Sequence, residues 1–369
     1  MQPVYISHIE TAVPPHAYPQ DFAREKMMSW VGGDREHRLI QRVYKNSGIE
    51  TRYSVLGDFF EDKPENLFRM GADGRPVEPG TRERNDRYAA ESRKLAVDVA
   101  RRIISGEVPV NEITHVITAS CTGFANPGAD YFIVRELGLN HSVARFALGF
   151  MGCYASIPAL RMARDVCLAD PSAVVLVVSV ELCTLHLHFE DGIDSLLANA
   201  IFADGAAAAV VSARPPGAGQ PALRMDGFAS AIIPEGEKDM AWRIGNKGFE
   251  IALSTYVPDL IGANIKSLLL PILAAGGLAL PDIGVWAIHP GGKAILDKVR
   301  KELVLRPEQI EASLEILRRY GNMSSATILF VLKELMKESP APANRESNRI
   351  CALAFGPGLT VESALLARA

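Results

Sequence analysis

The chain has 369 residues, 48% hydrophobic and 22% charged, enough to bury a sizeable core as two domains or one duplicated unit. Lys and Arg (39) against Asp and Glu (43) leave a formal charge of −4. That argues against a polycationic nucleic-acid surface but leaves room for a local basic patch holding a phosphorylated ligand. Five widely spaced cysteines (Cys121, Cys153, Cys167, Cys183 and Cys351), without a CxxC pair, read as reduced thiols of a cytoplasmic protein, not a disulfide frame or zinc site. The N-terminus, MQPVYISHIETAVPP, lacks the basic segment and apolar core of a signal peptide. No run of about 18 apolar residues suggests a membrane span.

In chain order, residues 4–9 form a strand pattern entering a turn at Pro14, Pro15 and Pro19. Residues 20–46 have helical character and end in a basic cluster that includes Arg35. Arg38, Arg42 and Lys45 fall at i, i+4 and i+7, on one face that is either solvated or an anchor for a nucleotide phosphate. The charged, Gly- and Pro-rich stretch 58–86 reads as an irregular surface excursion with no chemistry assigned. Residues 87–104 show a helical period, with Leu95, Val99 and Ile103 on one side. A buried strand at 114–120 runs into Cys121-Thr122-Gly123, followed by a Pro127-Gly128 turn and an amphipathic helix through Leu137. This is an α/β rhythm.

Residues 144–148 predict a short strand that breaks at Gly149 and passes through Met151, Gly152 and Cys153 into a long helical run. Cys153 would then lie at or beside a helix N-terminus, where unpaired N–H groups and the positive end of the dipole favour a thiolate. The plainer alternative is one more buried small hydrophobe. Residues 173–182 read as a central strand buried on both faces, 195–203 as an apolar helix, and 206–211 as a small-residue strand that lets a neighbour approach closely. The stretch 214–221 (RPPGAGQP) is the linker, dividing the chain into 1–213 and 222–369.

In the second part a helix is expected over 257–274, then a strand at 285–288 running into His289-Pro290-Gly291-Gly292 and a helix over 293–303. Residues 313–320 lead into Gly321-Asn322-Met323-Ser324-Ser325, whose Asn and Ser are good caps for a helix over 326–337. Residues 341–348 read as a polar loop. Strands at 350–355 and 359–366 flank the turn Gly356-Pro357-Gly358. Each part ends in strands after a buried helix, so the element order suggests two similar halves, although no residue-level repeat is visible.

Cys153, His289 and Asn322 all fall at strand-to-helix junctions, which in a layered α/β fold gather at the edge where ligands bind. Taken singly, His289 fits a structural turn and Asn322 a helix cap. Taken together, MGCYA, IHPGGKAIL, RYGNMSSATILFVL and AFGPGLT, in this order and spacing, resemble the type III polyketide synthases. These form the chalcone and stilbene synthase-like branch of the thiolase superfamily, and the form here resembles bacterial members. The resemblance runs from IETRY near Ile49 to the closing GPGLT.

That resemblance implies an α/β, thiolase-like fold of two similar halves packed as α-β-α-β-α layers. It implies that Cys153 is the acyl-carrying nucleophile, held by His289 as a thiolate–imidazolium pair. His289 and Asn322 would donate hydrogen bonds to the thioester carbonyl while malonyl loses carbon dioxide. It further implies acyl-coenzyme A and malonyl-coenzyme A as substrates, no cofactor, no metal, and a homodimer. Phe202, in AIFADGAAAA, matches the family's phenylalanine between pantetheine tunnel and reaction cavity, with a core aromatic as its alternative. Ile251 stands where the family has a second gating phenylalanine, and Cys121, Cys183 and His186 stand where the plant enzymes carry cavity threonines. Arg42 matches a coenzyme A phosphate contact. Leu39 and Asn46 replace its two flanking lysines, for which Arg38 and Lys45 would compensate. The backbone at Gly291, Gly292 and Ala294 would border the pantetheine arm. The activity implied is iterative decarboxylative condensation and cyclisation, with the reduced gate suiting a fatty acyl starter and alkylpyrone or alkylresorcinol products. The alternatives are a chalcone- or phloroglucinol-type synthase with a short or aromatic starter, a single condensation of the β-ketoacyl synthase III kind, and an inactive scaffold subunit.

Overall fold

The computed structural model describes residues 2–60, 63–104, 108–189, 192–337 and 348–369. Strands Val174–Leu182 and Asp204–Ser212 are buried at every position, so each needs apolar cover on both faces. Their side chains alternate accordingly. Val175, Val177, Ala207 and Ala209 face one cluster, whereas Leu176, Val178, Ala206 and Ala208 face another.

Nine strands make one mixed sheet, in the order Val285–Ile288, Arg349–Gly356, Thr360–Arg368, Leu223–Ile232, Tyr5–Ala12, Asp204–Ser212, Val174–Leu182, His115–Ser120 and Ala144–Gly149. From His115–Ser120 inwards the pairings run parallel, antiparallel, antiparallel. From Val285–Ile288 inwards they run in the same senses. The two runs meet at a seam of two residue pairs, Tyr5 with Arg224 and Ile6 with Leu223. The two-half organisation implied by the resemblance is therefore present in strand order and sense.

Helices Ser156–Ala169 and Thr327–Met336 pack between the halves, in one cluster with strand residues from both. Helices Thr81–Ile104 and Ala129–Leu137 cover one outer face, and Val257–Ala275 and Lys293–Glu302 the other. The layers are thus α-β-α-β-α. This arrangement brings the helices following Cys153 and Asn322 side by side at the centre.

Several boundaries differ from the sequence expectation. The run 20–46 is two helices, Gln20–Trp30 and Asp34–Asn46, broken where Gly33 adopts a φ of 99°. The excursion ends early, because helix Thr81–Ile104 begins inside it. A 3-10 turn, Ser324–Ala326, precedes Thr327–Met336. Of the loop expected at 341–348, residues 341–347 lie outside the described residues. The expectation that no segment is long and apolar enough to span a membrane needs correction for Val257–Ala275, which passes by length and composition. Ile261, Ile265, Leu269 and Leu273 on it are buried against Trp286 and Leu365, as in a core helix.

Candidate active site

Strand Ala144–Gly149 ends in a sharp corner, with Phe150 at φ 59° and Gly152 at φ 86°. Cys153 follows in a turn, just ahead of helix Ser156–Ala169. Only glycine fits at 152, since a Cβ there would come within 2.5 Å of Pro357 Cδ. Likewise a Cβ on Gly356 would meet Tyr154 Cδ1 at 2.5 Å, so the GPGLT turn closes directly over MGCYA. His289 continues the line of strand Val285–Ile288, its N–H bonding Leu353 O at 2.7 Å, and Gly291 N–H turns back to His289 O at 2.9 Å. Asn322 is stitched across the halves. Its N–H donates to Ile201 O at 2.9 Å and its carbonyl accepts from Ala203 N–H at 2.8 Å. The buried Arg52 guanidinium holds the same corner through Asn199 O and Phe202 O. Asn322 Oδ1 accepts from Ser324 N–H at 2.8 Å, while Nδ2 donates to Gly291 O at 3.2 Å. These two bonds define which way its carboxamide faces.

Cys153, His289 and Asn322 line one cavity, together with Cys121, Cys183, His186, Phe202, Ile251 and Gly291. Gly292, Ala294, Arg38, Arg42 and Lys45 do not line it. The three basic side chains stand exposed on helix Asp34–Asn46. Lys293, at the start of helix Lys293–Glu302, packs against Gly48, so the end of the basic helix abuts the His-Pro-Gly-Gly corner.

The cavity walls are mainly apolar, and its electrostatics follow. Burial pushes the Cys153 thiol up to about 11; Ser324 pulls it down, the Glu181 carboxylate pushes it further up, and Asn322 also lowers it. Burial holds His289 down to about 3, and neither of its ring nitrogens has a hydrogen-bond partner among the described residues. No hydrogen bond therefore closes the thiolate–imidazolium pair implied by the resemblance. Cys121 is buried, its sulfur 3.2 Å from Ser324 Oγ, and desolvation and Glu181 hold its thiol well above the ordinary range. This suits a wall residue better than a second nucleophile.

Three members of the cavity region were not singled out from sequence. Glu181, next to last in a strand whose other residues are apolar except Ser179, is fully buried. Its carboxylate accepts from Cys121 N–H and Thr122 Oγ1, both at 2.9 Å, and from the Ser325 hydroxyl. A lone glutamate closing the run AVVLVVSVEL was the available signal, because an unpaired buried carboxylate is costly. Ser324 touches Cys121 and carries a φ of 49°. Trp242 donates its indole N–H to Cys121 O at 2.7 Å. Nothing local in the sequence marks either of these two for the cavity.

His186 is held neutral by its surroundings. Nε2 donates to Thr122 O at 2.8 Å and Nδ1 accepts from Phe249 N–H at 3.0 Å, so a second ring proton would break the latter bond. Burial accordingly lowers it to about 3. As pH falls from about 6.5 towards 3, the unfolded chain binds a proton that folded His186 refuses, and the stability this residue contributes is lost at up to about 1.4 kcal/mol per pH unit. Urea unfolding midpoints measured across that window should fall with pH, and fall less steeply in His186→Phe.

The chain matches the chalcone and stilbene synthases' N-terminal domain over residues 3–215 and their C-terminal domain over 225–369. An alpha-pyrone synthesis polyketide synthase-like protein, Pks18, of Mycobacterium tuberculosis is 32% identical over 370 residues, covering 98% of this chain and 90% of the relative. The crystal structure of PKS-I from the brown alga Ectocarpus siliculosus superposes with a TM-score of 0.92 at 31% identity, covering 100% of both chains. The C-terminal type III polyketide synthase domain of Steely1, a type I/III hybrid from Dictyostelium, gives 0.89 at 27% identity, covering 99% of each. Matched along both of its halves, and with a cysteine, a histidine and an asparagine converging on one cavity, the chain belongs to the chalcone and stilbene synthase family, the type III polyketide synthases.

Proposed function

We propose that this polyketide synthase loads a fatty acyl starter from coenzyme A onto Cys153, extends it with malonyl-coenzyme A, and releases an alkylpyrone or alkylresorcinol. The observation that carries the reading is the single cavity shared by Cys153, His289 and Asn322, whose other walls are mainly apolar: Leu187, Met240, Leu253 and Phe355 among them. In the loading step the sulfur attacks the thioester carbonyl, its proton passes to His289, and the coenzyme A thiol leaves with that proton. Malonyl-coenzyme A then loses carbon dioxide. The electron pair of the broken C–C bond becomes an enolate, which N–H groups of His289 and Asn322 stabilise. The enolate carbon attacks the acyl–Cys153 carbonyl and expels the sulfur, which can accept the lengthened chain again.

Two features support the fatty starter. Ile251, not an aromatic, lines the cavity, whereas Phe249, two residues earlier, is buried and stacked on His186 at a centroid distance of 4.2 Å without lining it. The mycobacterial relative's name describes alpha-pyrone synthesis. The exposed basic face of helix Asp34–Asn46, abutting Lys293, would hold the coenzyme A phosphates. Strand Ala144–Gly149 lies at the edge of the sheet with its Phe146 exposed, and the exposed Tyr131 and Phe124 lie against Arg145 and Phe150. These features support pairing with a second copy. Light scattering should then report twice the 40.0 kDa chain mass.

Malonyl-coenzyme A supplied with aromatic, short, medium and long acyl-coenzyme A starters, with products read by mass, tests the assignment. Long-chain starters should give the highest kcat/KM and products one or more malonyl-derived units longer. Turnover confined to aromatic starters would reject the fatty-acyl reading.

A further inference from the structure

The stretch 58–86 delivers one carboxylate into the interior. Glu78, with its side chain 6% exposed, accepts the Phe189 N–H on Oε1 at 2.6 Å and faces His188 Nδ1 with Oε2 at 3.2 Å. Arg84 Nη2 lies 3.8 Å from the same Oε2. The other ring nitrogen, His188 Nε2, is 3.0 Å from the carbonyl of Phe249. Both neighbours of this ring are acceptors, the Glu78 carboxylate on one side and the Phe249 carbonyl on the other, so the ring bridges the two. Burial pushes the Glu78 carboxyl up, but the bonds from His188 and the Phe189 N–H, with the nearby positive charge, outweigh it and leave the group below its ordinary range. His186, two residues earlier, accepts the N–H of Phe249 on the ring's Nδ1. One residue is thus gripped at both its N–H and its C=O by two histidines of one loop.

Phe249 belongs to the hairpin formed by Met240–Gly245 and Gly248–Leu253, and Trp242, Ile251 and Leu253 of this hairpin form a wall of the cavity. Trp242 and Ile251 are directly paired across it, so they project from the same face. Any shift of the Phe249 peptide therefore moves Ile251, two residues along, towards or away from the acyl space. The hairpin is also tied by Trp242 to Cys121 O and by Thr81 to Gly248 N–H. The Glu78–His188 tie differs from these in holding a buried carboxylate, whose loss would leave the Arg84 guanidinium 3.8 Å away uncompensated.

We propose that Glu78 and His188 are positioning residues that set the depth of the acyl cavity by holding Phe249, and with it Ile251 and Trp242, so that they help select the starter by length. This rests on the condensation chemistry proposed above. Glu78→Gln keeps size and an acceptor while removing the charge; His188→Gln keeps a donor but cannot bridge both partners. Each should shift the ratio of kcat/KM between the longest and shortest accepted starters by about tenfold, the discrimination that one methylene of pocket depth provides. The change should fall on KM, and malonyl-coenzyme A decarboxylation without starter should stay near the wild-type rate. Hydrogen exchange of the 240–253 amides should quicken in both variants. An unchanged starter ratio, with activity intact or uniformly reduced, overturns the proposal, as does failure of both variants to fold, which would make the pair part of the scaffold. A wild-type protein that neither decarboxylates nor extends would instead count against the condensation reading itself.

Discussion

At neutral pH, Cys153 in a His289→Ala protein should react with iodoacetamide at least about a hundredfold more slowly than in the wild type. Burial acting on each group separately drives the thiol up to about 11 and the imidazole down to about 3. A proton passed from sulfur to His289 changes that balance. Two opposite charges then share one mainly apolar pocket, where their attraction is several times its value in water and offsets the desolvation of both. Remove the imidazole and the sulfur is again a buried thiol, ionised at pH 7 to only about one part in ten thousand for a pKa of about 11. The check is the labelling rate against pH, with peptide mass spectrometry assigning the label, because Cys121 and Cys183 share the cavity. Equal rates in the two proteins would remove His289 from the pair.

Asn322→Ala should lower the kcat for product formation by about 10² to 10³, the usual cost of one lost donor to a developing oxyanion. Acylation of Cys153 by the starter should survive, because the sulfur and His289 remain. The separation is expected because the Asn322 carboxamide is already oriented by Ser324 N–H and Gly291 O. Its contribution is therefore made without reorganisation as the enolate forms. The main-chain bonds to Ile201 and Ala203 do not depend on the side chain, so the corner should hold, although Ser324 N–H loses its acceptor at about 1–3 kcal/mol. Intact-protein mass for the acyl-enzyme and trapped carbon dioxide for decarboxylation distinguish the two steps. Parallel loss of both would mean that Asn322 shapes the pocket instead of stabilising the enolate.

Strongly periodic segments were legible because their signal is local. Strand Val285–Ile288 and the onset of helix Val257–Ala275 lie where the residue pattern puts them, and the junctions carrying Cys153, His289 and Asn322 were each read as such. Positions whose role depends on a distant partner were not legible. Glu78 looked like one more charge in a solvated excursion, yet it is buried against His188 and Phe189. Glu181 lies in a run whose pattern predicts only a strand buried on both faces, yet it collects donors from Ser325 and from the residues after strand His115–Ser120. Gly152 was read as part of a corner, but the reason for glycine is Pro357, some two hundred residues further on.

From amino-acid order alone follow the alternation of elements, the three reactive junctions and the family whose motifs they share, because periodicity and residue type act over a few neighbouring positions. The protonation balance of Cys153 and His289, the hairpin wall, and the ties that hold it belong to the tertiary structure. Desolvation and hydrogen-bond geometry depend on which segments meet, and here strand-to-helix corners from both halves and a hairpin converge, from distant parts of the chain, on one cavity.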